Sequence, residues 1–178
     1  MSVSLSFVAS LAALSIGAAA FAQQVTEKTV AGVTNFKNLE TTIACAGATN
    51  AQAVPELKKM GFASIINLRQ ASENGANIDE EAAAAKTVGI TFIHIPFNTQ
   101  SPDPAVADQF LTAITKKENQ PAFVHCGSGN RAAAMWMIKR LVVDHWDTDK
   151  ASTEAAALGL TNQTLKKFAT DYAETHKK

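Results

Sequence analysis

Apolar residues along this chain recur in short bounded runs, alternating with longer alanine-rich stretches of helical period. Ala63 to Leu68, Thr91 to Ile95 and Ala122 to His125 are runs of the first kind. Each is short, rich in Ile, Phe or Val, and flanked by Gly or Pro, which predicts a strand, and the run from Ala63 to Leu68 reads as a buried one. Val30 to Val33 and Thr41 to Ala46 predict two further short strands, and Gln23 to Lys28 a polar tail. The intervening segments read as helices. Asn50 to Met60 is closed by Gly61 and becomes regular near Val54, because Pro55 belongs in a first turn. Ile78 to Val88 carries Asp79, Glu80 and Glu81 at its front, where the helix dipole favours acids, and ends at Gly89. Asp103 as N-cap and Pro104 at the first helical position open a helix reaching about Lys117. Arg131 to about His145, Thr153 to Leu158, and Thr161 to His176 with Thr161 as its cap complete the set. Strand and helix alternate through the middle of the chain. That predicts an α/β fold with a mainly parallel central sheet flanked by helices, and extra C-terminal helices packed on one face.

The first 22 residues do not belong to this pattern. Met1 to Ala22 carries no charge, is apolar from Ser6 to Ala20, and ends in Ala20-Phe21-Ala22 before Gln23. This predicts a signal peptide over 1–22, although the usual positive front is missing, and a mature domain over 23–178. The expectation is export to the periplasm or the medium, with no integral membrane segment in the mature chain. Charge then narrows the partners. Lys and Arg total 16, Asp and Glu total 16, and only Arg69, Arg131 and Arg140 are arginines. A neutral chain of this kind lacks the basic footprint of a nucleic-acid reader. Two cysteines, Cys45 and Cys126, are too few for a four-thiolate zinc site or an iron–sulfur cluster.

Candidate chemistry concentrates in His125-Cys126-Gly127-Ser128-Gly129-Asn130-Arg131, which joins a predicted strand to a predicted helix. Two glycines in a tight loop let successive backbone N–H groups turn inward as an anion nest. The helix that follows brings its positive end to the same place. A cysteine there is expected to ionise readily, and Arg131 offers a planar fork to a tetrahedral oxyanion. Nucleophile, nest and fork together suit attack on phosphorus or on a sulfane sulfur.

His-Cys-x4-Arg after a strand resembles the phosphate loop of the cysteine-dependent phosphatases. The chain is similar over about Asn35 to Leu141 to the bacterial dual-specificity-phosphatase-like domain also found fused to beta-lactamase-like hydrolases. Ala46-Gly47-Ala48-Thr49, Gly61 to Arg69 and Ile93-His94-Ile95-Pro96 also carry the resemblance. It implies a phosphatase fold and a thiophosphoryl intermediate on Cys126. It further implies phosphate held by Arg131 and the backbone of Gly127, Ser128, Gly129 and Asn130, with a phosphorylated protein or small molecule as substrate and neither cofactor nor metal. The chain departs from the wider superfamily in three ways. Four residues rather than five separate Cys126 from Arg131. Ala132 stands where a Ser or Thr usually follows the arginine. Asn98-Thr99 occupies the place of the acidic residue that protonates the leaving group, leaving Asp103 as candidate acid beside its role as N-cap.

Three supporting residues carry open alternatives. His125 either orients the loop or is a core histidine, and Arg69 either binds substrate or pairs with a carboxylate. Cys45 is either a redox partner that bridges to Cys126 or a buried free thiol. Two other readings compete with the phosphatase: a rhodanese-like sulfurtransferase, favoured by the short loop, and a catalytically silent anion-binding module, favoured by Ala132.

Overall fold

The computed structural model describes residues 24–39 and 42–176. The leader predicted over 1–22 lies outside the described residues, as does Thr41 at the start of one predicted strand. Six strands form one mixed sheet: β1 (Val25–Glu27), β2 (Lys37–Leu39), β3 (Ile43–Ala46), β4 (Ser64–Asn67), β5 (Thr91–His94) and β6 (Ala122–His125). Their order across the sheet is β1-β2-β3-β6-β4-β5. β3, β6, β4 and β5 run parallel to their neighbours, and β1 and β2 add an antiparallel edge. The mainly parallel α/β sheet expected from the sequence is present.

The antiparallel edge departs from the expectation. The polar tail forms β1, Lys37-Asn38-Leu39 forms an unforeseen β2, and Val30 and Val33 make only isolated bridges. β1 and β2 have three residues each and carry Glu27, Lys37 and Asn38. Their stability comes from ladder hydrogen bonds to a buried neighbour rather than from an apolar run of their own.

Among the described residues, α1 (Val54–Lys59), α2 (Ile78–Val88) and α3 (Pro104–Ile114) connect strands, and α4 (Asn130–Val142), α5 (Thr148–Ala157) and α6 (Gln163–His176) follow β6. α5 starts earlier than expected because the Asp147 side chain accepts from Lys150 N at 2.8 Å and caps it. The cap of α6 is Asn162, whose Oδ1 accepts from Leu165 N, and not Thr161. Apolar side chains divide along the strands. Ile43, Cys45, Ile66, Val124 and Cys126 join a core with α3, α4, α5 and α6. Ala44, Ala46, Ile65 and Phe123 join a second core with α1 and α2. α4 is buried almost all round, from Arg131 to Leu141, which explains its alanine-rich and nearly unstriped sequence.

Phe123 anchors the second core. It is fully buried and lies 5.9 Å from the ring of Phe36 and 5.7 Å from that of Phe62. Phe123→Ala removes both ring contacts and leaves a cavity beneath β6. The expected cost is about 3–5 kcal/mol in urea unfolding, without loss of two-state behaviour.

Candidate active site

β6 ends at His125 in the middle of the sheet, and α4 begins at Asn130. The loop between them emerges at the C-terminal edge of the parallel strands, where ligands of open α/β sheets bind. Cys126 is 1% exposed, and the backbone N–H of Gly129 donates to its Sγ at 3.2 Å. Among the described residues, the N–H groups of Gly127, Ser128, Asn130 and Arg131 donate to no protein acceptor. These are the free donors of a nest merging into a helix N-terminus. Gly129 turns the loop with φ +99°, a conformation that a side chain disfavours.

The loop is braced on both sides. Ala48 N donates to Gly127 O at 3.0 Å and Asn35 Nδ2 to Ser128 O at 3.2 Å. Gly47 fits beneath it closely, since a Cβ there would lie 2.3 Å from Thr34 Oγ1. On the other side Asn130 Oδ1 accepts from the backbone N–H groups of Thr161 and Asn162, both at 2.8 Å. The α5–α6 turn is thereby pinned against the loop.

Arg131 is buried, with its guanidinium held along one edge. Nη1 donates to Leu68 O at 3.0 Å, to Phe97 O at 2.9 Å and to Glu73 Oε1 at 2.6 Å, and Nη2 donates to Glu73 Oε2 at 2.8 Å. The opposite edge, Nε–H with the second Nη2 hydrogen, is left for the sulfur of Cys126 and the space over the loop. Five donors in a fixed plane allow this division, one edge for the clamp and one for a ligand. Burial works against the guanidinium charge, but Glu73 and the sulfur of Cys126 outweigh it and raise the Arg131 pKa. Burial also pushes the Glu73 carboxyl up. Hydrogen bonds from Arg131, Gln70 N and Arg69 more than offset this and bring it from the usual 4.5 to about 2. Glu73 lies in a polar loop without periodicity, and no signal in the sequence singled it out.

The remaining sequence candidates separate. Arg69 does not face the loop of Cys126. It is 5% exposed, and donates to Gly75 O at 2.7 Å, Asn74 O at 2.6 Å and Glu73 Oε2 at 3.3 Å. It therefore pairs with a carboxylate and shapes the turn that presents Glu73. His125 alternates to the other face of the sheet, stacks on Phe123, and meets buried Glu81 of α2 at 2.9 Å. It is a core histidine tying α2 to β6. Asp103 Oδ1 accepts from Ala105 N at 2.9 Å, capping α3, and the side chain does not line the cavity described next.

Cys45 and Cys126 are both buried free thiols in the structure, so of the two alternatives left open for Cys45 the free thiol is the one present. Cys45 pairs with Val124 in the parallel register, two residues before Cys126. That diagonal is roughly 7–8 Å between Cα atoms, beyond the about 4.4–6.8 Å that a disulfide spans. Burial, reinforced by Cys126 and Glu154, pushes the Cys45 thiol well above its ordinary value, which disfavours the thiolate that exchange requires.

A cavity of about 500 Å3 opens over the loop. Gly127, Ser128, Asn130 and Arg131 form part of its lining, with Glu73 and Gln70 beside them. Asn98, Thr99 and Gln100 from the β5–α3 loop, and Asn162 and Leu165 from the start of α6, complete it. The resemblance had pointed to Asn98-Thr99, but nothing in the sequence pointed to Gln100, Asn162 or Leu165, whose side chains reach the site only through tertiary packing.

The Glu73 clamp has a pH signature. Its carboxyl is depressed in the folded state, so the stability it contributes is complete above about pH 4.5 and is lost as pH falls toward about 2. In thermal melts, the gap between the native chain and Glu73→Gln is expected to be constant above about pH 5 and to close progressively toward pH 2.

A family model described as DSP-PTPase phosphatase fused to NAD+ kinase matches residues 17–174. Its fusion partner is NAD+ kinase, where the sequence resemblance had named beta-lactamase-like hydrolases. No curated protein matches the chain by sequence. Among solved structures, a DUF442 protein of Shewanella putrefaciens CN-32 aligns with a TM-score of 0.68 at 20% identity, covering 83% of this chain and 96% of that one. TpbA of P. aeruginosa in complex with pTyr aligns at 0.63 with 18% identity, covering 85% and 88%. The catalytic domain of the PP-IP phosphatase SIW14 of S. cerevisiae, with citrate, aligns at 0.64 with 16% identity, covering 80% and 87%. At these identities the structures establish a common fold, and the family model covers nearly the whole described chain. The chain therefore belongs to the DSP-PTPase family of phosphatases fused to NAD+ kinase, and is a tyrosine/dual-specificity phosphatase-like hydrolase.

Proposed function

We propose that the chain hydrolyses a phosphomonoester through a covalent thiophosphoryl intermediate on Cys126. The observation that carries this reading is the pairing of one free edge of Arg131 with the unengaged loop amides around Cys126 Sγ. A phosphoryl group placed there meets two N–H prongs from Arg131 and the backbone donors of Gly127, Ser128 and Asn130. These stabilise charge on the three equatorial oxygens as the S–P bond forms and the P–O bond breaks. Preorganisation by Glu73, Leu68 O and Phe97 O means that Arg131 need not be reoriented during the reaction. Water then attacks phosphorus, and the thiolate departs toward the N–H of Gly129. Because Ala132 supplies no hydroxyl to that thiolate, the second step is expected to be the slower one.

The leaving oxygen requires a proton. Glu73 is held ionised by its arginine partners, so we assign the proton to Asp103, at the end of the loop whose Asn98, Thr99 and Gln100 line the cavity. Its Oδ1 serves the cap of α3, and a shift of this loop would bring the carboxyl to the leaving group. Residues 1–22 support export of the chain. N-terminal sequencing of the exported protein is expected to begin at Gln23, and a start at Met1 or Ser2 overturns this.

Release of p-nitrophenolate from p-nitrophenyl phosphate should show a burst followed by slower turnover, and Cys126→Ser should abolish both. Linear release without a burst would place the slow step before the intermediate. Asp103→Asn separates acid from cap, since Asn caps as well as Asp. It is expected to keep the melting temperature while lowering kcat/KM on alkyl phosphates about 100-fold, and much less on p-nitrophenyl phosphate. Equal loss on both, or no loss, would leave Asp103 with the cap alone.

A further inference from the structure

The walls of the cavity carry an unusual set of side chains for a ligand pocket. Such pockets are ordinarily lined by apolar and aromatic groups with a few polar ones. Here the side chain of Leu165 is the single apolar one among the lining residues, and there is no aromatic ring and no lysine. The charged members are Arg131 and Glu73, which are paired with each other. Above the phosphate loop the wall is made of carboxamides: Gln70, Asn98, Gln100 and Asn162.

Two of these carboxamides are fixed by their oxygens. Asn98 Oδ1 accepts from Gln100 N at 3.0 Å, and Asn162 Oδ1 accepts from Leu165 N at 3.1 Å. Their NH2 groups have no protein acceptor among the described residues, and neither do the side-chain amides of Gln70 and Gln100. A carboxamide offers donors and acceptors without charge, which complements a hydroxyl that both donates and accepts. A phenolic ester seated here would displace water from these amides, exposed at Asn98, Gln100 and Asn162, without replacing its hydrogen bonds, whereas hydroxyl groups would replace them. A second phosphate would find no cation, because the ligand edge of Arg131 serves the first.

We infer that the substrate is the phosphomonoester of a neutral, hydroxyl-rich compound, a sugar or polyol phosphate, selected by Gln100 on the β5–α3 loop and Asn162 at the start of α6. This rests on the phosphatase reading above and goes beyond it in naming the leaving group. The volume agrees, since about 500 Å3 lies within the range of small-molecule sites. Specificity then lies in two side chains, Gln100 and Asn162, that take no part in the chemical step. The α5–α6 turn reaches the site because Asn130 holds it there.

The test compares kcat/KM of the full mature chain for a hexose 6-phosphate, p-nitrophenyl phosphate, a phosphotyrosine peptide and an inositol polyphosphate. The expected order places the hexose phosphate at least about 10-fold above the peptide and the polyphosphate. Gln100→Ala and Asn162→Ser, the latter keeping a capping hydroxyl for α6, are each expected to lower the ratio of hexose phosphate to p-nitrophenyl phosphate kcat/KM about 10-fold, chiefly through KM. Cys126-dependent turnover of p-nitrophenyl phosphate with the peptide or the polyphosphate preferred would overturn the inference and leave the phosphatase reading standing. An unchanged ratio in both variants would overturn the assignment to Gln100 and Asn162. Absence of Cys126-dependent phosphate release from every substrate would overturn both readings.

Discussion

The clamp on Arg131 is the constraint around which the site is arranged. One guanidinium gathers the carbonyl beyond β4 (Leu68), the carbonyl beyond β5 (Phe97) and the Glu73 carboxylate, while its own backbone begins α4. The ends of two strands, a polar turn and a helix N-terminus are thereby fixed relative to one buried charge. A buried cation without such partners would be costly, so the same contacts that satisfy Arg131 also keep its free edge directed at the loop. Arg69 extends the arrangement by binding the carbonyls of Asn74 and Gly75, which shapes the turn carrying Glu73.

A second set of contacts decides what surrounds the phosphate position. Asn130 belongs to the loop by sequence but spends its side-chain oxygen on the backbone of Thr161 and Asn162. α5 and α6 pack on α4 in the larger core, so this tether transmits the position of a C-terminal turn to the mouth of the site. The end over Cys126 is built from backbone donors and one arginine. The far end is built from carboxamides on loops that differ in origin and can vary without disturbing the sheet.

Much of this was legible along the chain, and the reasons differ by element. The central parallel strands β4 and β6 announced themselves because burial on both faces demands continuous apolar runs, and the edge strand β5 because its run is short and bounded by Gly89 and Pro96. The helix beginning at Pro104 announced itself because Asp103 and Pro104 fit the first turn of a helix and little else. β1 and β2 were invisible, since a three-residue edge strand with polar side chains owes its existence to its neighbour. The roles of His125 and Cys45 were left open by the sequence and turn on strand alternation. It sends His125 to the face opposite Cys126, and places Cys45 on the same face but a full diagonal away.

By itself the sequence determined the α/β alternation, the strand–loop–helix around Cys126 and the presence of Arg131 at the start of α4. These depend on local pattern: period, glycine placement and the spacing of a nucleophile from a cation. Only the tertiary structure decided that Glu73 holds Arg131, that Asp103 caps rather than lines the cavity, and that Gln100 and Asn162 share the walls above the loop. Glu73 and Arg131 are 58 residues apart, and Asn130 and Asn162 are 32 apart. Polar groups in aperiodic loops acquire a partner only when the sheet brings them together, and nothing in their own neighbourhoods of sequence encodes which partner it is.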